Sequence, residues 1–198
     1  MRNSLAWGAT AAALVVLAGC RTAPLPAPPA SAWAARRPEL QSRAHFGLRG
    51  RVAVAAGKQG FNARLRWAQD GDRARLALEG PLGAGAVHID AAGSDLDITT
   101  ASGAHLTSEA AHTELDARLG FDPPLASLRY WILGVPNPAL PAAETLDPLQ
   151  QRLTRLEQDG WRIDYGSYIA VGSEWLPGRL TLERADVRVK LLVDDWQS

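Results

Sequence analysis

The sequence holds few side chains at spacings typical of catalytic or metal sites. Its four histidines show no metal-ligand spacing, and we interpret them as solvated side chains. No Gly-x-Ser-x-Gly elbow for a nucleophilic serine occurs. Catalytic groups can assemble from positions that are distant in sequence, but no motif here indicates an enzyme. We therefore predict a protein without catalytic activity, cofactor or metal. The histidines are His45, His88, His105 and His112.

Phosphate-binding chemistry is also poorly supported. The stretch Gly83-Ala84-Gly85 lacks the third glycine and the following helix that dinucleotide binding needs. The chain carries 21 Lys plus Arg against 21 Asp plus Glu, and this zero net charge disfavours a nucleic-acid partner. Carboxylate pairs such as Asp95/Asp97 and Asp194/Asp195 lie at outward strand positions or at a strand end. There they favour solubility and protect sheet edges.

Cys20 has the clearest chemical role. It is the single cysteine among 198 residues, so an intrachain disulfide is impossible. The chain before it contains Arg2 and an apolar run through Leu14–Leu17, typical of a secretory signal too short to span a bilayer. The tetrad Leu17-Ala18-Gly19-Cys20 resembles the lipobox of bacterial lipoproteins. This resemblance predicts that residues 1–19 are a signal peptide and that Cys20 is acylated. The alternative is an unmodified cysteine after an ordinary signal peptide.

A short tether follows the predicted lipid anchor. Residues 20–32 are rich in proline and alanine and lack the side chains to build a core, and their prolines favour extended backbone. We predict that the folded domain covers residues 33–198. In bacterial lipoproteins, aspartate directly after the acylated cysteine is associated with inner-membrane retention, and Arg21 occupies that position. We therefore expect Cys20 to anchor the chain to the periplasmic face of a Gram-negative outer membrane.

The domain alternates between apolar and polar residues as half-buried strands do. In the run 61–67, Phe-Asn-Ala-Arg-Leu-Arg-Trp, every odd position is apolar. At least eight segments share this design, and turns such as Asp70-Gly71-Asp72 and Asp159-Gly160 join them as hairpins. An antiparallel meander of this kind must bury its apolar face by curling or by taking a cover.

Helices from the middle of the chain are the predicted cover. Apolar spacing predicts one helix that begins after Ser108 as its N-cap and stops at Gly120, and another after Pro124 that ends at Gly134. A third helix is predicted around Trp33–Gln41, although Pro38 weakens it. Residues 147–158 fit either a helix or a strand. We favour a strand for the second half because an Asp-Gly turn follows it.

Large aromatic residues share the inward faces of the predicted strands. Trp67, Trp161 and Tyr165 stand in phase with leucine and valine, and Trp131 accompanies the second predicted helix. These side chains could fill a sealed core, or they could line an apolar cavity that holds one ligand. Residue types alone do not decide between the two.

Six short motifs occur in a fixed order along the domain, and with the lipobox they resemble the LolB family. LolB proteins are the outer-membrane receptors of the bacterial lipoprotein-sorting pathway. The resemblance covers nearly the whole domain after the tether. The motifs are Gly50-Arg51-Val52, Ala63-x-Leu65-x-Trp67, Gly80-Pro81-Leu82-Gly83, Leu125-x-x-Leu128-x-x-Trp131-Ile132-x-Gly134-x-Pro136, Gly160-Trp161-x-Ile163-x-Tyr165 and Leu176-Pro177.

The resemblance implies an open, incomplete antiparallel β-barrel of roughly ten or eleven strands. About three helices would form a lid over an apolar cavity. Such a receptor accepts the acyl chains of client lipoproteins from the periplasmic carrier LolA and inserts them into the outer-membrane bilayer, and we expect a monomer. The residues expected to line or approach the lipid cavity are Leu65, Trp67, Leu76, Leu78, Val87, Ile89, Trp131, Ile132 and Tyr165.

Two other functions compete with the receptor. One is a general periplasmic lipoprotein that binds lipids or other hydrophobic ligands, as a relative of the carrier would. The other is an outer-membrane assembly scaffold with a sealed core. Cys20 argues against the carrier itself, which in that pathway is soluble and not acylated.

Leu82 is the predicted membrane-insertion residue. It lies in a predicted turn marked by Gly80, Pro81 and Gly83, and turns project into solvent. The family resemblance favours a leucine that protrudes and dips into the bilayer. The alternative is a leucine that tucks back onto the end of the sheet.

Overall fold

The computed structural model of the chain describes residues 31–80 and 85–197. The predicted signal peptide, Cys20 and Leu82 lie outside these residues, so their roles stay predictions. The described part contains an antiparallel sheet and three helices.

Within the described residues, eleven strands form one antiparallel sheet, which confirms the predicted fold class. The strands are β1 (His45–Ala56), β2 (Gln59–Asp70), β3 (Arg73–Glu79), β4 (Val87–Ala92), β5 (Asp95–Thr100), β6 (His105–Thr107), β7 (Ala142–Leu146), β8 (Leu153–Gln158), β9 (Trp161–Val171), β10 (Glu174–Arg184) and β11 (Val187–Gln197). Their order in the sheet is β6-β5-β4-β3-β2-β1-β11-β10-β9-β8-β7. The sheet is open, because β6 and β7 are edge strands that do not pair with each other.

The alternation of the sequence sorts side chains to the two faces of the sheet. In β2, Ala63, Leu65 and Trp67 are buried while Arg64 and Arg66 are exposed. The predicted turns after β2 and β8 are hairpins, since β2 pairs with β3 and β8 with β9. The sheet therefore has one apolar face that needs a cover.

A β-bulge at Arg49/Gly50 interrupts the pairing of β1 with β11 near the middle of the sheet. The two backbones come so close that a Cβ on Gly50 would lie 2.4 Å from the carbonyl oxygen of Leu192. Glycine is needed here because any side chain would collide with backbone. A bulge bends its strand and increases its twist, so this one helps the sheet to curve around its apolar face.

The helices are α1 (Ser31–Gln41), α2 (Ser108–Leu119) and α3 (Leu125–Trp131). α1 includes Pro38 and begins two residues before the predicted start at Trp33. Ser108 is the first residue of α2 and not its N-cap, a position that Thr107 takes. The second half of residues 147–158 forms β8, as predicted. In the described ranges, no helix is long and apolar enough to cross a membrane.

α2 covers one end of the sheet. It buries Ala111, Leu115 and Leu119 and contacts β5 and β6. Gly120 ends the helix with a φ of 77°, and a Cβ added there would lie 2.8 Å from the Cβ of Ala56. The end of α2 is therefore held tightly against the end of β1.

Candidate functional site

A narrow cavity of about 100 Å³ lies between the apolar face of the sheet and the chain from the end of α2 to the end of α3. Every lining residue is apolar, so the cavity can hold hydrocarbon but cannot stabilise a buried charge. The lining residues are Val52, Val54, Phe61, Leu65, Trp67, Leu76, Leu78, Ile89, Leu119, Phe121, Pro123, Pro124, Leu125, Leu128, Ile132, Trp161, Leu182, Val189 and Leu191.

The cover of this cavity is the segment 119–132. Residues 121–126 are the part of the cover that lies over the sheet. In the described structure, their hydrogen bonds go to α2, to α3 or to one another, and none of them goes to a strand. Pro123 and Pro124 lack a backbone N–H and cannot donate one. Apolar contact alone therefore holds residues 121–126 against the sheet.

The C-terminal end of α3, in contrast, is fixed by hydrogen bonds. The Nε1 of Trp131 donates to the Oε1 of Gln158 at 2.8 Å. The hydroxyl of Tyr165 donates to the backbone oxygen of Trp131 at 2.9 Å. Burial raises the pKa of the Tyr165 phenol well above its usual value, so the hydroxyl keeps its proton and remains a donor. These contacts tie α3 to β8 and β9.

Gln158 is the centre of this polar network, although it lies on the buried face of β8. Its Oε1 also accepts from the backbone N–H of Asn137 at 2.9 Å. Its Nε2 donates to the backbone oxygens of Asn137 and Leu140, each at 3.0 Å. A side chain that is 3% exposed thus holds both α3 and the loop that returns to the sheet.

The two tryptophans of the cavity wall differ in their hydrogen bonding. The Nε1 of Trp67 donates to the Oε1 of Gln69 at 3.0 Å. The buried Nε1 of Trp161 has no hydrogen-bond partner in the described ranges. The Trp161 ring packs 5.7 Å from the ring of Phe121, and the guanidinium of Arg184 lies 4.6 Å from its centre.

A larger groove, of about 680 Å³, lies on the polar face of the sheet. Arg51, Arg64, Arg179 and Lys190 contribute to its lining, which makes it a poor site for hydrocarbon. The four histidines are exposed, as predicted. In residues 31–80 and 85–197, no three His, Cys, Asp or Glu side chains are grouped to hold a metal ion.

Comparison with known proteins assigns the domain to a family. Residues 44–196 match the family model described as outer membrane lipoprotein LolB. The chain belongs to the LolB family. The match begins beside β1 and ends in β11, so it includes the whole sheet, the cover and the cavity.

Curated LolB proteins are similar over most of their length. The outer-membrane lipoprotein LolB of Nitrosococcus oceani is 35% identical over 187 residues, which cover 93% of each chain. LolB of Pseudomonas savastanoi is 33% identical over 165 residues, covering 83% of this chain and 80% of that protein. A LolA superfamily protein from Nitrosomonas europaea shares the fold, with a TM-score of 0.53, 12% identity, and coverage of 85% of this chain and 92% of that one.

The structure brings together most of the residues that the sequence predicted for the LolB cavity. Val87 lines an adjoining pocket of about 300 Å³, which shares Phe61, Leu78 and Leu119 with the cavity. Trp131 and Tyr165 do not line the cavity but brace α3 behind it. The predicted residues that line it are Leu65, Trp67, Leu76, Leu78, Ile89 and Ile132.

The predicted cavity list left out inward-facing strand residues such as Val54, Leu182 and Leu191, which also line the cavity, and two further groups of residues in this domain were missed. The first is the cover side of the cavity, including Phe121, Pro123 and Pro124, which no strand or helix period identifies. The second is the Gln158 network. The sequence did hold one signal for this network. Gln158 lies two positions after the buried Leu156 on β8 and so points to the same face, and a buried amide needs hydrogen-bond partners.

Proposed function

We propose that this LolB-family chain is an outer-membrane-anchored receptor that takes lipoprotein acyl chains from the periplasmic carrier LolA and inserts them into the outer membrane. It performs no covalent chemistry and needs no cofactor. The observation that carries the proposal is the cavity lined only by apolar side chains between sheet and cover. The similarity to curated LolB proteins supports it.

The energetics of acyl chains explain why such a receptor is needed. Each buried methylene contributes about 0.8 kcal/mol, so a lipoprotein with two or three long chains cannot remain unshielded in water. A tenfold rise in affinity corresponds to about 1.4 kcal/mol. Transfer from carrier to receptor to membrane therefore needs only a modest gain in affinity at each step.

The cavity must widen to accept a long chain. Its volume of about 100 Å³ is well below the roughly 300–1,000 Å³ of typical ligand sites. Residues 121–126 are the part of the cover that moves, because only apolar contact holds them to the sheet, whereas hydrogen bonds fix the end of α3. An incoming acyl chain replaces those apolar contacts with its own.

A transfer assay tests the function directly. The chain is mixed with a lipoprotein bound to LolA, and the distribution of the lipoprotein is measured by co-purification. We expect the lipoprotein to move to this chain and then to added liposomes. A lipoprotein that stays on the carrier would contradict the proposal.

Anchoring and acceptance are separate properties. Replacing Cys20 with alanine removes the lipid anchor, so Cys20→Ala should yield a protein free of the membrane. It should accept acyl chains as well as the wild type, because the cavity is built from residues 52–191. Fractionation and the transfer assay measure the two properties. A folded Cys20→Ala protein unable to accept a lipoprotein would refute this separation.

The open cavity and the sealed scaffold differ in ligand binding. A fluorescent fatty-acyl probe should bind and change the emission of Trp67 and Trp161, which both line the cavity. Trp67→Ser should weaken binding about tenfold, since it places a hydroxyl in an apolar wall. Trp175→Ser is the matched control, because Trp175 is 44% exposed and absent from the lining.

Unfolding midpoints of both variants must be compared, since loss of a buried indole also destabilises the sheet. Unchanged emission at saturating probe, in a chain whose circular dichroism shows the folded state, would favour the sealed scaffold.

A further inference from the structure

The groove of about 680 Å³ on the polar face of the sheet is lined by four cations and a single carboxylate. The carboxylate, Glu79, pairs with Arg66, which lies outside the lining. Among the four cations, Arg51 pairs with Asp194 at 2.7 Å. The other three make no ion pair in the described ranges, and the rest of the chain holds no Asp or Glu side chain to pair with them. These three are Arg64, Arg179 and Lys190.

Most cations elsewhere on this face of the sheet are paired with carboxylates. Arg73 and Arg75 share Asp90, and Arg155 pairs with Asp164. Opposite charges on neighbouring strands are the ordinary way in which a polar sheet face balances its charge. The groove departs from this balance, since it gathers three cations that the chain leaves without a counter-charge.

The strand register places the arginines of the groove in one row. Arg64 on β2 stands directly opposite Arg51 on β1. Leu192 on β11 stands opposite both Arg51 and Arg179. Because neighbouring strands lie about 4.8 Å apart, the row from β2 to β10 spans about 14 Å. Like charges that face each other destabilise a sheet, so an anion in the groove would offset a cost that the chain carries alone.

Short side chains lie between these cations. Ala53 and Thr181 stand opposite Lys190 on the two neighbouring strands, and Gly80 contributes to the lining at the end of β3. The groove therefore has room for a group with several oxygen atoms beside the long cationic side chains. Phosphate suits it best, because guanidinium groups bind phosphate oxygens in bidentate geometry and lysine binds them as a point charge.

We propose that this groove binds the phosphate headgroups of anionic phospholipids and so orients the domain on the bilayer. The tether predicted after Cys20 keeps the domain within a few nanometres of the membrane. The groove also reaches Gly80, the last described residue before the predicted insertion residue Leu82. Since the chain has zero net charge, its attraction to an anionic surface must come from a local cluster of cations.

This contact supplements the lipid anchor and does not replace it. A few cations on an anionic surface give weak binding that salt screens, so the contact orients an anchored domain but does not retain a chain without its anchor. The groove is separate from the apolar cavity, and its contact with phospholipids does not depend on the receptor function.

Sedimentation with vesicles at low ionic strength tests this contact. The chain carrying Cys20→Ala, which has no acyl anchor, is mixed with vesicles of phosphatidylcholine alone or of equal parts phosphatidylcholine and phosphatidylglycerol. We expect tighter binding to the anionic vesicles, and this preference should fade as salt is added. Each cation near an anionic surface contributes about fivefold to affinity. Binding should therefore weaken about a hundredfold in the groove variant, which combines Arg64→Gln, Arg179→Gln and Lys190→Gln.

A second triple variant provides the matched control. It removes the same number of charges from the same face but outside the groove, where each cation has a carboxylate partner. All six substituted side chains are exposed, so both variants should keep the fold, which circular dichroism checks. The control should lose much less affinity for anionic vesicles than the groove variant. It combines Arg73→Gln, Arg75→Gln and Arg155→Gln.

Three outcomes would overturn the proposal. Equal losses in the two triple variants would show that overall charge, and not the groove, attracts the chain to the vesicles. Displacement of the vesicles by inorganic phosphate, where chloride at the same ionic strength leaves them bound, would assign the groove to free phosphate. Normal vesicle binding by a groove variant that no longer accepts lipoproteins from LolA would assign the groove to an acidic protein surface.

The vesicle assay contains no lipoprotein, so its result is independent of the proposed receptor function. A chain that binds anionic vesicles through the groove but takes no lipoprotein from LolA would contradict the receptor function and support the headgroup site. We expect instead that the groove variant accepts lipoproteins as well as the unsubstituted chain, because none of its three substituted residues lines the apolar cavity.

Discussion

Replacing Gln158 with leucine is expected to lower the free energy of unfolding by about 3–5 kcal/mol, because it removes the partner of two buried donors. Those donors are the Nε1 of Trp131 and the backbone N–H of Asn137. Three backbone oxygens lose a donor as well. For a domain of this size the melting temperature should fall by about 10 °C, which calorimetry or thermal circular dichroism measures.

Gln69 offers a matched control for this prediction. It is a second buried glutamine, 4% exposed, that accepts one indole N–H and donates to one backbone oxygen. Gln69→Leu leaves a single buried donor without a partner, so its cost should be about 1–2 kcal/mol. Equal destabilisation by the two substitutions would show that the Gln158 network does not hold the cover.

The strands could be predicted from the sequence because one physical signal repeats along them. Alternation sorts side chains onto two faces, and turn residues separate the segments. The edge strands β6 and β7 carry little of this signal. β6 has three residues, and in β7 only Glu144 and Leu146 are half-buried while the other three residues are exposed. Neither strand has a continuous apolar face that its sequence could reveal.

The cavity could be predicted only in part, for a geometric reason. The two-residue period of a strand shows which side chains point inward, and this is why Leu65, Trp67 and Leu76 were identified. Whether an inward side chain meets open space or another side chain depends on elements distant in sequence. Trp131, for example, is held by Gln158, 27 positions later, and faces β8 instead of the cavity. The side chains of the cover are positioned by the same long-range packing.

Leu82→Glu is expected to slow the delivery of lipoproteins to membranes about 10–100-fold while acceptance from LolA stays unchanged. Leu82 lies outside the described residues, but Gly80 and Gly85 on either side border the pocket that adjoins the cavity. We expect an acyl chain that leaves the cavity through this pocket to pass beside the connection between Gly80 and Gly85. Replacing leucine with a carboxylate in contact with hydrocarbon costs about 2–3 kcal/mol. Every 1.4 kcal/mol added to the barrier slows delivery about tenfold.

Leu149→Glu is the matched control, since Leu149 is also an apolar side chain on a loop and is 59% exposed. Repulsion of a more acidic protein by the bilayer would slow delivery by both variants equally. A leucine at position 82 that tucks against the sheet would instead lose stability on substitution. Lipoprotein insertion into liposomes and thermal melts of both variants separate these cases. If only Leu82→Glu loses delivery, and its melting temperature is unchanged, we conclude that Leu82 itself enters the membrane. Normal delivery by that variant would refute the hypothesis of a membrane-insertion loop.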